Sequence, residues 1–124
     1  MTSTLLRIAA ALGLVGAGVI HADLYIHGYR VLSFVGPAFL LQAAASFALA
    51  VLLPFTSLVL LRLAAVGAAF GALVGFVLSR TVGLFGFSEH GLEPSPQALL
   101  SIVAEVAVLL FLAADFIVRP RLAT

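Results

Sequence analysis

Residues 98–118 read ALLSIVAEVAVLLFLAADFIV, an almost unbroken run of Ala, Leu, Val, Ile and Phe. A membrane-crossing helix needs about 20 predominantly apolar residues, so this run predicts one. Glu105 stands well inside it. Counted from Gln97 at about 1.5 Å per residue, its carboxylate lies roughly 12 Å along a helix that crosses a core about 30 Å thick. A charge in hydrocarbon is costly, so Glu105 must face protein or water, find a partner, or keep its proton. It is the first candidate for function, as a proton-titrating or cation-binding carboxylate or as a structural one that fixes helix packing.

The composition extends this reading to the whole chain. Of 124 residues, 64% are hydrophobic and 9% charged, with a mean hydropathy of +1.29. Soluble domains carry about 25% charged residues, so lipid is the expected solvent. With no Cys, the chain can form no disulfide, thiolate metal site, iron–sulfur cluster or cysteine nucleophile. A net charge of +1, scattered Arg and no Lys give no basis for binding nucleic acid.

Three further apolar runs precede the last. The expected spans are 5–25, 36–53, 58–80 and 97–118 within a single transmembrane domain, residues 1–124, with an interfacial loop at 81–96. The first has Arg7 near its start, as a signal peptide would, but Ile20 and Ala22 make a poor cleavage site. In it Ala9, Gly13 and Ala17 recur at i+4, a small-residue face that continues to His21 and Tyr25. Gly36-Pro37 opens the second, where a first-turn proline costs little. Ser46 can bond the preceding turn of its own helix, whereas Gln42 calls for a partner on another one. The short link at Pro54–Ser57 makes spans two and three neighbours. In span three, Gly67, Gly71 and Gly75 form two overlapping GxxxG steps, which predict a close helix contact within the chain or between subunits. Ser95 and Pro96 mark the start of span four as N-cap and first helical residue. Gln97, Ser101 and Glu105 then make one polar stripe. Asp115, ahead of Arg119 and Arg121, reads as a snorkelling or locally paired residue near the membrane surface.

The expected fold is all-α, an antiparallel four-helix bundle in the membrane. Four spans put both termini on one side with Arg7, Arg62, Arg119 and Arg121, against Arg30 and Arg80 on the other. The positive-inside rule then makes the termini cytoplasmic. His21, Gln42, Ser79, Arg80, Gln97, Ser101 and Glu105 all fall in the outer half, so every helix contributes to a polar pocket that opens outward. Its expected members are Glu105, Gln42, Ser101, Arg80, His21 and Tyr25, with Glu105 as its floor.

Other chemistry has thinner support. His21, Asp23, Glu89 and His90 could ligate zinc or copper(II) only if the 81–96 loop folds over His21. Haem needs axial ligands on facing helices, and of the three His only His21 is deep enough. Tyr25, Tyr29, Phe85 and Phe87 read as an interfacial aromatic belt. There is no Ser-His-Asp arrangement, phosphate loop or HExxH, so catalysis is the least supported class.

Taken together, Ile20-His21, Leu24-Tyr25, Gly28-Tyr29-Arg30, Gly36-Pro37, Phe39–Gln42, Gly83–Phe87, Glu89 and Glu105 resemble a group of small four-helix membrane proteins of high-GC Gram-positive (actinobacterial) type, and more distantly DoxX-like proteins. The resemblance implies the four-span topology and a recurring pattern at Tyr29, Gln42, Glu89 and Glu105; it brings no activity or cofactor. Small multidrug transporters share the size, but their key carboxylate lies in the first span, where this chain has none before Asp23. The function expected is that of a non-enzymatic membrane protein embedded in the lipid bilayer, a subunit of a membrane complex or a homo-oligomer. The alternatives are a proton- or cation-coupled transporter that uses Glu105 and a redox subunit that holds haem or quinone.

Overall fold

The computed structural model describes residues 2–118. It is all-helical, with α1 at Thr2–Ile26, α2 at Val35–Leu52, α3 at Val59–Arg80 and α4 at Gln97–Val118. Single 3₁₀ turns at Tyr29–Val31 and Leu53–Phe55 join α1 to α2 and α2 to α3. Four segments, with the second extending to Phe55, are long and apolar enough to cross a membrane. Their outward faces carry large apolar side chains such as Leu12, Leu41, Leu60 and Leu110. A surface of this kind suits hydrocarbon rather than water. Arg119 and Arg121 lie outside the described residues.

α1 is the central helix and packs chiefly against α4 and α2, while α3 rests more lightly on α4 and α2. The buried face of α1 comprises Ser3, Arg7, Ala10, Leu14, Ala17 and His21. These positions alternate steps of three and four, which keeps them on one side of a helix with about 3.6 residues per turn. The Ala9–Gly13–Ala17–His21–Tyr25 stripe expected from the sequence uses steps of four alone and drifts by about 40° at each. Ala17 and His21 of it are buried, whereas Ala9, Gly13 and Tyr25 are half-buried. Gly13 does make the close approach expected of it. A Cβ there would lie 2.8 Å from Val108 Cγ2 and 3.2 Å from the Ala104 carbonyl of α4.

The glycine row of α3 behaves differently. A Cβ added at Gly67, Gly71 or Gly75 meets nothing within 4 Å among the described residues. The close helix contact that the two GxxxG steps suggest is therefore not made inside this chain. Small residues let a helix approach but do not compel it, and α3 is held off by side chains such as Gln42, whose Nε2 donates to the Ala68 carbonyl at 3.0 Å. Ser46 also departs from expectation: its Oγ is fully buried without a hydrogen-bond partner among the described residues.

The largest departure is at the end of the molecule near Ser3. Asp115 is neither snorkelling nor exposed. It is fully buried, accepts from Arg62 Nη1 at 2.8 Å through Oδ2, and accepts from the Ser3 hydroxyl through Oδ1. Arg62 is equally buried and lies over the Phe116 ring, 4.3 Å from its centroid. Beside them Arg7 Nη1 donates to the Leu53 and Thr56 carbonyls, both at 2.7 Å. Arg7 thereby ties α1 to the α2–α3 link, whose 3₁₀ turn leaves those carbonyls available.

Candidate functional site

At the other end of the helices lies a cavity of about 350 Å³ with contributions from all four. α1 brings His21 and Leu24; α2 brings Ala38, Phe39 and Gln42; α3 brings the stretch from Gly71 to Arg80; α4 brings Ala98, Ser101, Ile102 and Glu105. Of the six residues expected around the pocket, Glu105, Gln42, Ser101, Arg80 and His21 line this cavity and Tyr25 does not. The reason is the helical drift described above: the cavity meets α1 at His21 and Leu24, at i and i+3, while Tyr25 lies on the other side of His21.

Glu105 is 2% exposed. Its Oε2 accepts from Ser101 Oγ, one turn earlier on α4, at 3.1 Å. It also lies 3.9 Å from His21 Nε2, beyond hydrogen-bond reach. His21 is held by its own helix, with Nδ1 2.8 Å from the Ala17 carbonyl. Because a carbonyl only accepts, Nδ1 carries the proton of that bond. In the neutral ring, Nε2 is then a bare acceptor turned towards Glu105.

The walls are aromatic. The rings of His21 and Phe39 are 4.9 Å apart, those of Phe39 and Tyr29 4.8 Å, and those of Tyr29 and Phe87 5.3 Å. Tyr29 reaches this chain through a tight connection. Gly36, in the first turn of α2, sits so close under the 29–31 turn that a Cβ would lie 2.7 Å from the Tyr29 carbonyl. The Tyr29 hydroxyl donates to Glu89 Oε2 at 3.2 Å. Burial, and then the neighbouring Glu89 carboxylate, push this phenol up to about 12.

A short hairpin covers the cavity. Leu84 and Phe87 exchange both backbone hydrogen bonds, at 2.8 and 2.9 Å, around Phe85 (φ 53°) and Gly86 (φ 82°). Two positive φ angles in a two-residue loop make a type I′ turn. Its Leu84, Phe85 and Phe87 side chains line the cavity, and Phe85 stacks on Phe34 with ring centroids 4.8 Å apart. Tyr29, Phe85 and Phe87 thus contribute to the cavity walls, with Phe85 also largely exposed. Arg80 fastens the rest of the loop: Nε donates to the Gly91 carbonyl at 2.9 Å, Nη2 to that of Glu93, and Nη1 to Ser79 Oγ at 2.7 Å. Its guanidinium lies 4.1 Å from the Phe76 ring centroid. Arg80 is therefore a loop clasp and not the partner of Glu105.

The proposed metal ligands are dispersed. Asp23 pairs with His27 at 3.0 Å on the exposed side of α1, Glu89 is engaged by Tyr29, and His90 is exposed. Among the described residues no three His, Asp or Glu side chains converge as a metal site would require. Beyond the expected residues, the structure adds Tyr29, Phe39, Phe76, Ser79 and Phe87 to the cavity. Phe39 shares a helix face with Gln42 at i+3, a spacing visible in the sequence; Phe87 depends on a turn that the sequence marks only by Gly83 and Gly86. No family model matches the chain, and neither a curated protein nor a solved structure matches it.

Proposed function

We propose that this chain is a small non-enzymatic protein of the cell membrane, an antiparallel four-helix bundle with cytoplasmic termini, that binds a small ligand in the cavity around Glu105. One observation carries the reading. A carboxylate 2% exposed sits against a cavity of about 350 Å³, with a hydroxyl to orient it, His21 short of hydrogen-bond reach at 3.9 Å and no arginine paired with it among the described residues. Largely apolar pockets of a few hundred Å³ with a few convergent polar groups are typical small-molecule sites. A purely structural carboxylate would close on a partner, as Asp115 closes on Arg62.

Membership of a complex or a homo-oligomer draws support from α3, whose Gly67 is exposed and outside the cavity, with nothing among the described residues within 4 Å of an added Cβ. The test is a structure of protein purified from its native membrane in mild detergent, together with native mass spectrometry. Density in the cavity or a bound small mass supports ligand binding; an empty cavity collapsed onto a direct His21–Glu105 pair overturns it. A second reading, a proton- or cation-coupled transporter, is favoured by the 3.9 Å approach of His21 to Glu105, close enough for one bridging group to connect them. Flux in reconstituted vesicles that is lost in Glu105→Gln supports transport, and unchanged flux removes the carboxylate from it.

A further inference from the structure

The arrangement around Glu105 selects a class of ligand, on the reading that the cavity is a binding site. At its floor the two atoms that face each other, His21 Nε2 and Glu105 Oε2, are acceptors. His21 spends its Nδ1 proton on the Ala17 carbonyl, which leaves Nε2 with a lone pair in the neutral ring. The Glu105 carboxylate receives a hydrogen bond from Ser101 alone among the described residues, and as a carboxylate it has further lone pairs to offer. Gln42 spends one of its two amide N–H groups on the Ala68 carbonyl, which leaves its oxygen and one N–H. Most donors that line the cavity are engaged: Ser101 to Glu105, Ser79 to the Phe76 carbonyl at 2.7 Å, Tyr29 to Glu89, and Arg80 through three of its five N–H groups to Ser79 and the Gly91 and Glu93 carbonyls.

We propose that the cavity is a site for a protonated organic amine, a primary or secondary ammonium carrying a ring-sized apolar body. The ammonium would sit between His21 Nε2 and Glu105 Oε2 and donate to both. A gap of 3.9 Å between two acceptors suits one shared donor atom, since each leg can then have ordinary hydrogen-bond length. The Glu105 charge compensates the cation in a place where an uncompensated one would be excluded. The apolar body rests on the rings of Tyr29, Phe39 and Phe87, whose faces also attract cations. At the His21–Glu105 gap an anionic ligand meets two acceptors, and a neutral acceptor such as a ketone finds no donor between them. Arg80 does not oppose the ammonium at close range. Its guanidinium is clasped to the Gly91 and Glu93 carbonyls, and it makes no ion pair with Glu105 among the described residues.

The experiment uses the full chain in lipid nanodiscs, with protein-free discs as the blank for partitioning. Saturable binding is measured by equilibrium dialysis for three probes of one shape: 1-naphthylmethylamine, 1-naphthylmethanol and 1-naphthoic acid. The amine is expected to bind at one site per chain, with the alcohol and the acid each weaker by at least about tenfold, as is Glu105→Gln for the amine, because each change removes one partner of a buried charge pair. Alcohol or acid binding as tightly as the amine overturns the ligand class while leaving a binding cavity in place. Absence of saturable binding by all three probes overturns both. Should Glu105→Gln fail to fold, the selectivity among probes on the unaltered protein still decides.

Discussion

Arg62 and Asp115 are each completely buried, and the energetics of such a pair are asymmetric. Removing one partner strands the other charge and costs about 3–5 kcal/mol, whereas replacing both with apolar groups of similar volume is often neutral or stabilising. Asp115→Leu is therefore expected to lower the thermal midpoint in detergent sharply, and Arg62→Met with Asp115→Leu to recover most of the loss. Single and double variants of equal stability would show that the pair is not what holds α3 to α4. The Arg62 Nε and Nη2 atoms, buried without hydrogen-bond partners among the described residues, add to the reasons the double variant should be tolerated. The sequence contained this pairing, since Arg62 stands near the start of one span and Asp115 near the end of another, which a four-span topology brings to one depth. It was obscured because Arg119 and Arg121 offer a nearer and simpler partner. Tyr29 gives a second prediction at this scale. Its folded value of about 12 lies above the ordinary 10, so the neutral hydroxyl is the form the fold favours. The stability it contributes is complete below pH 10 and is lost as the pH rises through about 12. In an alkaline absorbance titration of the folded protein, Tyr29→Phe should remove a phenolate step near pH 12; loss of a step at or below pH 10 would mean that Tyr29 is not held by burial and Glu89.

Helices show the same contrast between what a pattern permits and what packing uses. Gly13 and Gly71 both sit in small-residue rows, yet one is pressed against α4 and the other faces open space. Gly13→Ala should cost about 1–3 kcal/mol through overpacking against Val108 and the Ala104 carbonyl. Gly71→Ala should be neutral or gain up to about 1 kcal/mol from helix propensity alone. Thermal unfolding in detergent checks both, and a large loss at Gly71 would reveal a partner for α3 that a single chain does not supply. Helix positions were readable to within a few residues, because length and apolarity fix a span with little help from tertiary contacts. Helix faces were less so: a stripe read in steps of four drifts around the cylinder and points to Tyr25, where the cavity meets Leu24 instead, and Tyr29 enters from a turn that no helical stripe reaches. The hairpin at Leu84–Phe87 was the least readable element. Its I′ turn places a Phe at a positive φ, a position that Asn or Gly would announce and Phe does not.

For the molecule as a whole, polar groups gather at two ends with different characters. Near Ser3, Arg7, Arg62 and Asp115 the polar groups are closed on one another and on the Leu53 and Thr56 carbonyls; around Glu105 they leave a cavity. The sequence conveyed the second cluster, since Glu105, Ser101, Gln42 and His21 stand conspicuously within apolar runs. It understated the first, whose members lie near span ends where charges excite no suspicion. Burial of Arg62 beside Asp115 also changes the orientation argument, because a neutralised arginine inside the protein is not a free flanking charge. The bias then rests on Arg7, Arg119 and Arg121 against Arg30 and Arg80, which still favours cytoplasmic termini. The absence of cysteine allows a direct test with single replacements. Ser33→Cys, just before α2, and Ser88→Cys, in the loop before α4, should react with a membrane-impermeant maleimide in intact cells. Ser57→Cys, in the α2–α3 link, should react only after the membrane is permeabilised. The opposite pattern would invert the protein and turn the Glu105 cavity towards the cytoplasm, where a ligand would have to be a cytoplasmic one. Labelling of all three in intact cells would contradict a four-span topology altogether.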